Sequence, residues 1–360
     1  MKLHAVVDLQ FGSTGKGLLA GYLTRKNHYD TAISANSTQA GHTYVETQNG
    51  KRYEWIARHL PIAAALPSVK QVLSGPGAMI EPAVLEAECA IFEQQRIELG
   101  RGQLPEILIH ENAGIILQYH QEEERATMAG VGSTMKGVGA ALVQKIRRNR
   151  HLPNIAAHAL HEFGPVRVVK HRDYLACMAN AREAILEGSQ GYSLGINSGF
   201  YPYTTSRECT VTQLMSDALV PFDAAAGARV YGVARTYPIR VANRTDIDPT
   251  SSSGPCYPDQ VEMSWDELGQ TPEVTTVTKK TRRVFSFSPT QITQAIYANG
   301  VDSVFLNFVN YLRSVDQLDD IVDAIDSTGA DVEWIGLGPS VDDVVALREF
   351  DIDSYFRRVA

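Results

Sequence analysis

The sequence predicts an α/β protein: a largely parallel central sheet flanked by helices, with long loops that carry the chemistry. Three observations predict it. Short apolar runs of strand type alternate with segments of helical spacing. Gly-rich turns follow several of those runs, where an open sheet of this class binds anions. No internal repeat or low-complexity linker divides the 360 residues, so the chain reads as one elaborated domain, residues 1–360.

The chain opens on Val6-Val7-Asp8-Leu9, an apolar run that predicts a buried first strand, and Gln10-Phe11-Gly12-Ser13-Thr14-Gly15-Lys16-Gly17 leads it into a helical pattern at residues 18–23. Glycines let backbone N–H groups approach phosphate oxygens, the helix start adds a partial positive charge, and Lys16 adds a full one. The loop is not a GxxxxGK[ST] P-loop, because only two residues separate Gly12 from Gly15. Taken alone, it also fits a plain strand-to-helix turn with a solvent-facing Lys16.

Thr31-Ala32-Ile33-Ser34-Ala35 reads as a second strand, and the small, polar residues from Asn36 through Gln39, Ala40 and Gly41 to His42 and Thr43 suit a second backbone-lined loop. His42 is the only general acid or base there, against the alternative of an exposed loop histidine. A strand at Gln71-Val72-Leu73 runs into the turn Ser74-Gly75-Pro76-Gly77, a helix follows at 81–99 with Gly100 as its stop, and Ile107-Leu108-Ile109 is the next strand. Residues 130–139 are too rich in glycine for a helix and offer Ser133, Thr134 and Lys136 to an anion. The basic run from Lys145 to Arg150 fits a solvated helix face or a phosphate grip.

Ala184-Ile185-Leu186 is a short buried strand that opens into Glu187-Gly188-Ser189-Gln190-Gly191 and the polar loop Tyr201-Pro202-Tyr203-Thr204-Thr205-Ser206. Val230-Tyr231-Gly232-Val233-Ala234 starts a strand ending near Arg240 and Val241, and residues 246–273 read as a long mobile loop. Residues 275–283 set four hydroxyls beside four cations, a cluster suited to an anionic small molecule. The last quarter alternates regularly: a helix from Pro289, a strand at 304–310, a helix at 315–325, a strand at 332–335, a turn at 336–340 and a helix to 350.

With 44% apolar and 21% charged residues the composition is that of an ordinary globular protein, and a net charge of −8 argues against a nucleic-acid binder. Cys89, Cys177, Cys209 and Cys256 form no CxxC pair, which predicts reduced thiols rather than a zinc site or disulfides. No run of eighteen apolar residues and no basic, apolar leader is present. The expectation is a cytoplasmic protein with no membrane partner, in the host cytoplasm if the chain is viral.

Taken together and in order, these loops resemble the adenylosuccinate synthetase family. The matching signatures are Phe11-Gly12 with Gly15-Lys16-Gly17, Ala40-Gly41-His42-Thr43, His59-Leu60-Pro61, Gly132-Ser133-Thr134 with Gly137-Val138-Gly139, Glu187-Gly188-Ser189-Gln190-Gly191, Tyr201-Pro202-Tyr203 with Thr205-Ser206, the loop ending at Arg283, and Gly338-Pro339. The resemblance implies that family's fold and a C–N ligase working in two steps. A nucleoside triphosphate phosphorylates O6 of a 6-oxopurine monophosphate, and the amine of aspartate displaces that phosphate.

Roles carry over residue by residue. Ser13, His42, Gln190 and Lys16 would be catalytic, with His42 donating to the transferring phosphoryl group and Gln190 contacting O6. Ser13, Thr14, Gly15, Lys16, Gly17, Gly41, His42, Thr43, Asn307, Asn310, Gly336, Gly338 and Pro339 would hold the triphosphate nucleotide. The monophosphate would meet Ser13, Asn36, Ser133, Thr134, Gln190, Thr205 and Val241, together with Arg148 from the neighbouring subunit of a homodimer. Thr275, Thr276, Val277, Lys280 and Arg282 would bind aspartate, with Lys280 standing where the family usually has Arg. Mg²⁺ is the implied cofactor, with Ser13 and Gly41 on its side of the site.

Two departures from the family pattern redirect the substrate. Typical members have Asp where this chain has Ser13, and that carboxylate takes the N1 proton of inosine monophosphate. A short hydroxyl leaves room for the 2-amino group of guanine and can accept from it. The resemblance is therefore to the phage branch that converts dGMP, aspartate and ATP or dATP into 2-aminoadenylosuccinate for diaminopurine DNA. Asn310 stands where GTP-using members have Asp; one acceptor and one donor match the edge of adenine, whereas a carboxylate matches guanine. Asn197 replaces a further Asp, and Phe285-Ser286 a usual Gly-Trp. Ordinary synthesis from inosine monophosphate and a non-catalytic nucleotide-binding regulator are the alternatives.

Overall fold

A computed structural model describes the chain except residues 40, 129–132, 153, 244, 246–249, 276–279 and 360, and it gives residues 358 and 359 by backbone only. Ten strands form the central sheet among the described residues. In chain order they are β1 (Lys2–Asp8), β2 (Thr31–Ser34), β3 (Gln71–Ser74), β4 (Glu106–His110), β5 (Val166–Val169), β6 (Glu183–Glu187), β7 (Arg229–Arg235), β8 (Ser303–Asn307), β9 (Asp331–Gly336) and β10 (Val344–Ala346). Across the sheet the order is β10-β9-β8-β7-β1-β6-β2-β3-β4-β5. All neighbours are parallel except β9 and β10.

β1 is central and buried on both faces, which is why its sequence is almost continuously apolar instead of alternating. Ala5 and Val7 join one hydrophobic cluster and Val6 the other, so the strand keys both layers of the core. The helix Lys16–Asn27 packs Leu19 and Leu23 on the Val6 side. Complete burial of a leucine such as Leu19 contributes about 2 kcal/mol. Because the strands run parallel, the turns after β1, β2, β6, β7, β8 and β9 all open at one edge of the sheet, and they carry the glycine-rich and polar motifs.

Several expectations are corrected. His42 is not a loop residue; it begins the strand His42–Gln48, which pairs antiparallel with Lys51–Ala57 so that His42 faces Ala57. Val138 and Gly139 are helical despite the glycine content around them, because the helix Val138–Arg147 has its first N–H groups capped by Glu124. The strand at 304–310 stops at Asn307, and Asn310 lies in the 3-10 turn Val309–Tyr311. The helix expected up to 350 is instead β10 between two 3-10 turns, since β-branched Val344 and Val345 pair with β9; the last helix is Ile352–Val359. β7 ends at Arg235, and Ile239–Arg240 belongs to a small antiparallel sheet with Arg283–Phe285 and Glu262–Met263. The described part of the segment read as a mobile loop contains that last strand and the helix Trp265–Leu268. All four cysteines are free thiols.

Candidate active site

The helix Lys16–Asn27 has no side-chain cap at its start, where Gly15 takes φ 106°. Its first N–H groups are therefore open to an anion. A Cβ at Gly15 would lie 2.2 Å from Asn307 Nδ2, so only glycine fits this turn. Beneath the loop sits Asp8, the last residue of β1, 2% exposed. Its Oδ1 accepts from the N–H groups of Gln10 (2.9 Å) and Gly12 (3.2 Å), and its Oδ2 from the Thr14 hydroxyl (2.5 Å) and the Lys16 ammonium (3.0 Å). Lys16 also donates to the carbonyl of Gln190 at 2.8 Å. Two of its three donors are thus spent on holding it in place, and one remains for a ligand. Ser13, at φ 56°, is exposed on top of the turn.

A large cleft opens over this loop. Ser13, Lys16, Gly41, His42 and Gln190 line it, as do Ser133, Thr134, Thr205, Val241, Thr275 and Arg282, so one cavity gathers the four residues expected to be catalytic with part of each expected substrate set, while Asn307, Asn310, Gly336, Gly338 and Pro339 are not among its lining residues. His42 is 5% exposed. Its Nδ1 lies 2.5 Å from Oε1 of Glu187, the fully buried last residue of β6, while Oε2 of Glu187 accepts the Ile62 N–H at 2.8 Å. Glu187 can only accept, so Nδ1 carries the proton and the ring orientation is fixed. His42 Nε2 is buried and has no hydrogen-bond partner among the described residues.

Other expected residues lie as follows. Asn36, 2% exposed, has both side-chain polar atoms without a partner among the described residues, which suits a residue awaiting a ligand. Thr205 Oγ1 accepts from Gln39 at 2.7 Å. Gly17 is in the first turn of the Lys16–Asn27 helix, Thr43 is exposed on the hairpin, Gly336 ends β9, and Gly338 and Pro339 form the turn after it. Asn310 is exposed, whereas the amide of Asn307 is committed to the Thr14 carbonyl (3.0 Å) and the Phe308 N–H (2.8 Å), tying two loops together. Thr275 and Lys280 face each other across a hairpin, through Thr275 N–H to the Lys280 carbonyl (2.8 Å) and Lys280 N–H to Thr275 Oγ1 (3.1 Å). Arg148 is exposed at the end of the helix Val138–Arg147 and does not line the cleft of its own chain. Thr276 and Val277 lie outside the described residues.

The sequence reading missed the groups beneath the first layer: Asp8, Glu187 as the partner of His42, Glu124, Arg235 and Arg240. Asp8 had a signal, being a lone carboxylate that ends an apolar strand before a Gly-rich turn. Glu124 caps the helix Val138–Arg147, accepting from Gly137 and Gly139 at 2.7 Å each and from Ala140 at 3.3 Å. Arg240 packs its guanidinium 4.5 Å over the Phe11 ring and donates to the carbonyls of Pro255 and Tyr203. Burial brings Arg240 down to about 10, with Arg283 pulling the same way. Arg282 is also lowered, mainly by burial, with Glu273 opposing and Arg235 reinforcing. An anion in the cleft relieves both.

Mg²⁺ fits the donor set in one respect only. No group of three or more His, Cys, Asp and Glu side chains clusters as a metal site among the described residues, whereas the Ser13 hydroxyl and the open backbone at Gly41 are neutral oxygens of the kind that complete a Mg²⁺ shell dominated by phosphate. No helix among the described residues is long and apolar enough to cross a membrane.

An uncapped helix start at the carboxyl edge of a parallel sheet, a buried lysine beneath it and a carboxylate-held histidine facing the same cleft define a nucleotide-phosphate-binding α/β enzyme. The model of the family described as adenylosuccinate synthetase matches residues 5–160 and 154–333. The chain belongs to the adenylosuccinate synthetase family, whose members are C–N ligases. It is 41% identical over 377 residues to the N6-succino-2-amino-2'-deoxyadenylate synthase of Acinetobacter phage SH-Ab 15497, covering 97% of this chain and 95% of that protein. The protein of the same name from Cyanophage S-2L is 43% identical over 345 residues, with 95% and 91% covered. Among solved structures, the Cyanophage S-2L succinoaminodeoxyadenylate synthetase bound to dGMP and dATP superposes with a TM-score of 0.90 at 41% identity, covering 100% of this chain and 99% of that one. The fully ligated adenylosuccinate synthetase of Plasmodium falciparum shares the fold, with a TM-score of 0.74 at 18% identity over 96% of this chain and 99% of that one.

Proposed function

We propose that this protein joins L-aspartate to C6 of dGMP at the expense of ATP or dATP, giving 2-amino-2'-deoxy-N6-succinyladenylate, the nucleoside diphosphate and phosphate. The observation that carries this reading is Ser13, an exposed residue with a small hydroxyl that lines the cleft at the place where the family resemblance implies a carboxylate in members acting on inosine monophosphate. A phage relative of the same fold is bound to dGMP and dATP, which supports the same substrates here.

Each group has work to do in such a reaction. The oxygen on C6 leaves only after phosphorylation, so negative charge grows on the transferring phosphoryl oxygens and on O6. The open N–H groups of the Gly15–Gly17 turn and the free donor of Lys16 hold the triphosphate. A proton on His42 Nε2 makes the ring an imidazolium whose charge faces Glu187, and that N–H donates to a phosphoryl oxygen. Gln190, whose backbone carbonyl is anchored by Lys16, presents its amide to O6. Ser133, Thr134, Thr205 and Asn36 supply donors for the 5'-phosphate, and Arg282 offers a fork to an aspartate carboxylate. Ser13 and Gly41 would hold Mg²⁺, which supplies charge neutralisation for the phosphates.

Arg148, exposed and outside its own cleft, completes the monophosphate site of a second subunit in a homodimer. The exposed amide of Asn310 reads the adenine edge of the donor. The full 360-residue chain acts as one domain. The test is product mass spectrometry with dGMP, aspartate and ATP, each omitted in turn. The succinylated product should form only when all three are present, and turnover of inosine monophosphate with none of dGMP would reject the proposal.

A further inference from the structure

Arg235 is the last residue of β7 and has no solvent exposure. Its guanidinium reaches three loops at once. Nη1 donates to the Ser13 carbonyl at 3.2 Å, Nη1 and Nη2 both engage the Glu273 carboxylate, and the plane of the group lies 3.8 Å from the centre of the Phe308 ring. Glu273 is at the root of the hairpin that carries Thr275, Lys280 and Arg282: its carbonyl accepts the Arg282 N–H at 2.8 Å, and Val274 bridges Thr281. The Tyr311 hydroxyl donates to Glu273 Oε1 at 3.3 Å.

We infer that Arg235 and Glu273 are positioning residues that lock the aspartate-binding hairpin to the Ser13 turn, so that the amine is delivered in register with the phosphorylated C6. The inference rests on the ligase reading above, since it assumes that Thr275 and Arg282 bind aspartate. Physically, the lock has fixed ends. Ser13 sits in a left-handed conformation that its side chain does not favour, and the Arg235 hydrogen bond to its carbonyl holds that turn. The second arm of the hairpin is held by the Trp265 Nε1–H, which donates to the Arg282 carbonyl at 2.8 Å, and by the strand Arg283–Phe285 that continues it; on the first arm Glu273 reaches the central sheet through a bidentate guanidinium pair, whose planar fork fixes orientation as well as distance. Neither side chain lines the cleft, so both act on aspartate only through Ser13, Thr275 and Arg282.

The test is steady-state kinetics of the full chain with each substrate varied in turn, for the unaltered protein, Glu273→Gln and Tyr311→Phe. The unaltered protein must release phosphate in an aspartate- and dGMP-dependent manner; if it does not, the ligase reading fails before the lock is addressed. Glu273→Gln keeps the shape and loses the charge, and the KM for aspartate should rise about 10-fold or more while those for dGMP and ATP stay within about 2-fold. Tyr311→Phe, which leaves the ion pair intact and cannot unfold the hairpin by charge, should raise the aspartate KM alone by about 2- to 5-fold. An unchanged aspartate KM in Glu273→Gln, or an equal rise in all three constants, overturns the lock in an otherwise active enzyme.

Discussion

Oε1 of Glu187 lies 2.5 Å from Nδ1 of His42, joining the last residue of a central strand to the first residue of a hairpin. The other oxygen of the carboxylate holds the Ile62 N–H, so the histidine is oriented by a group that is itself fixed. Glu187→Gln removes the charge facing the imidazolium and allows the ring to turn. We expect kcat to fall about 10²-fold or more with little change in the KM of dGMP, and His42→Asn to fall within about 10²- to 10⁴-fold. Initial rates of phosphate release check both; a Glu187→Gln enzyme with unaltered kcat would show that the orientation is set elsewhere.

Ser13→Asp places a carboxylate where the 2-amino group of guanine needs space. Activity on dGMP should drop about 10- to 100-fold. Equal or greater turnover of dGMP in a direct assay would remove the steric and polar reason for the hydroxyl.

Asn310→Asp exchanges an amide for a group that only accepts. Preference should shift from ATP toward GTP by about 10- to 100-fold in kcat/KM, as guanine offers two donors where adenine offers one donor and one acceptor. Competition between the two nucleotides measures the ratio, and an unchanged ratio would mean that Asn310 does not meet the base.

Asp8→Ala leaves the Lys16 ammonium buried without its counter-charge and frees the Gln10, Gly12 and Thr14 donors together. Loss of one partner from a buried pair costs about 3–5 kcal/mol. Denaturant titration should report a loss of that order; a change below about 1 kcal/mol would show that the pair contributes little to stability.

Acid stability should depend on His59. It is buried, its Nε2 accepts the Glu81 N–H at 3.3 Å, and burial lowers it from 6.5 to about 3, with Arg58 contributing in the same direction. A depressed folded value favours the neutral ring, so its stabilisation is complete above pH 6.5 and is lost as pH falls toward about 3. Glu88 works in the opposite direction. Burial raises it to about 7 against the pull of the N–H groups of residues 58–60, so its contribution is present below pH 4.5 and lost as pH rises through about 7. Melting temperatures of His59→Gln between pH 3 and pH 6.5 should vary less steeply than those of the unaltered chain; parallel profiles would contradict this.

The visible part of the site was legible in the sequence because its residue types are unusual where they stand. Glycines beside Lys16 announce a backbone-lined loop, a lone His42 among small residues stands out even though it begins a strand, and both Lys16 and His42 line one cleft with Ser13 and Gln190. The supporting layer was hidden because its residues lie far apart in sequence: Glu187 meets His42 across 145 positions, and Arg235 meets Ser13 across 222. The fold was misread where tertiary pairing overrides local pattern, as at Val344 and Val345, whose ladder partners are Gly336 and Ile335 in β9. Local propensity cannot decide between helix and edge strand when the deciding contact is a neighbouring strand.

The carboxylate of Glu124 caps the amino end of the helix Val138–Arg147, while the start of Lys16–Asn27 has no side-chain cap. Of two dipoles that could each attract a polyphosphate, one is neutralised from within. The uncapped start is the one that keeps its partial positive charge available to an incoming anion.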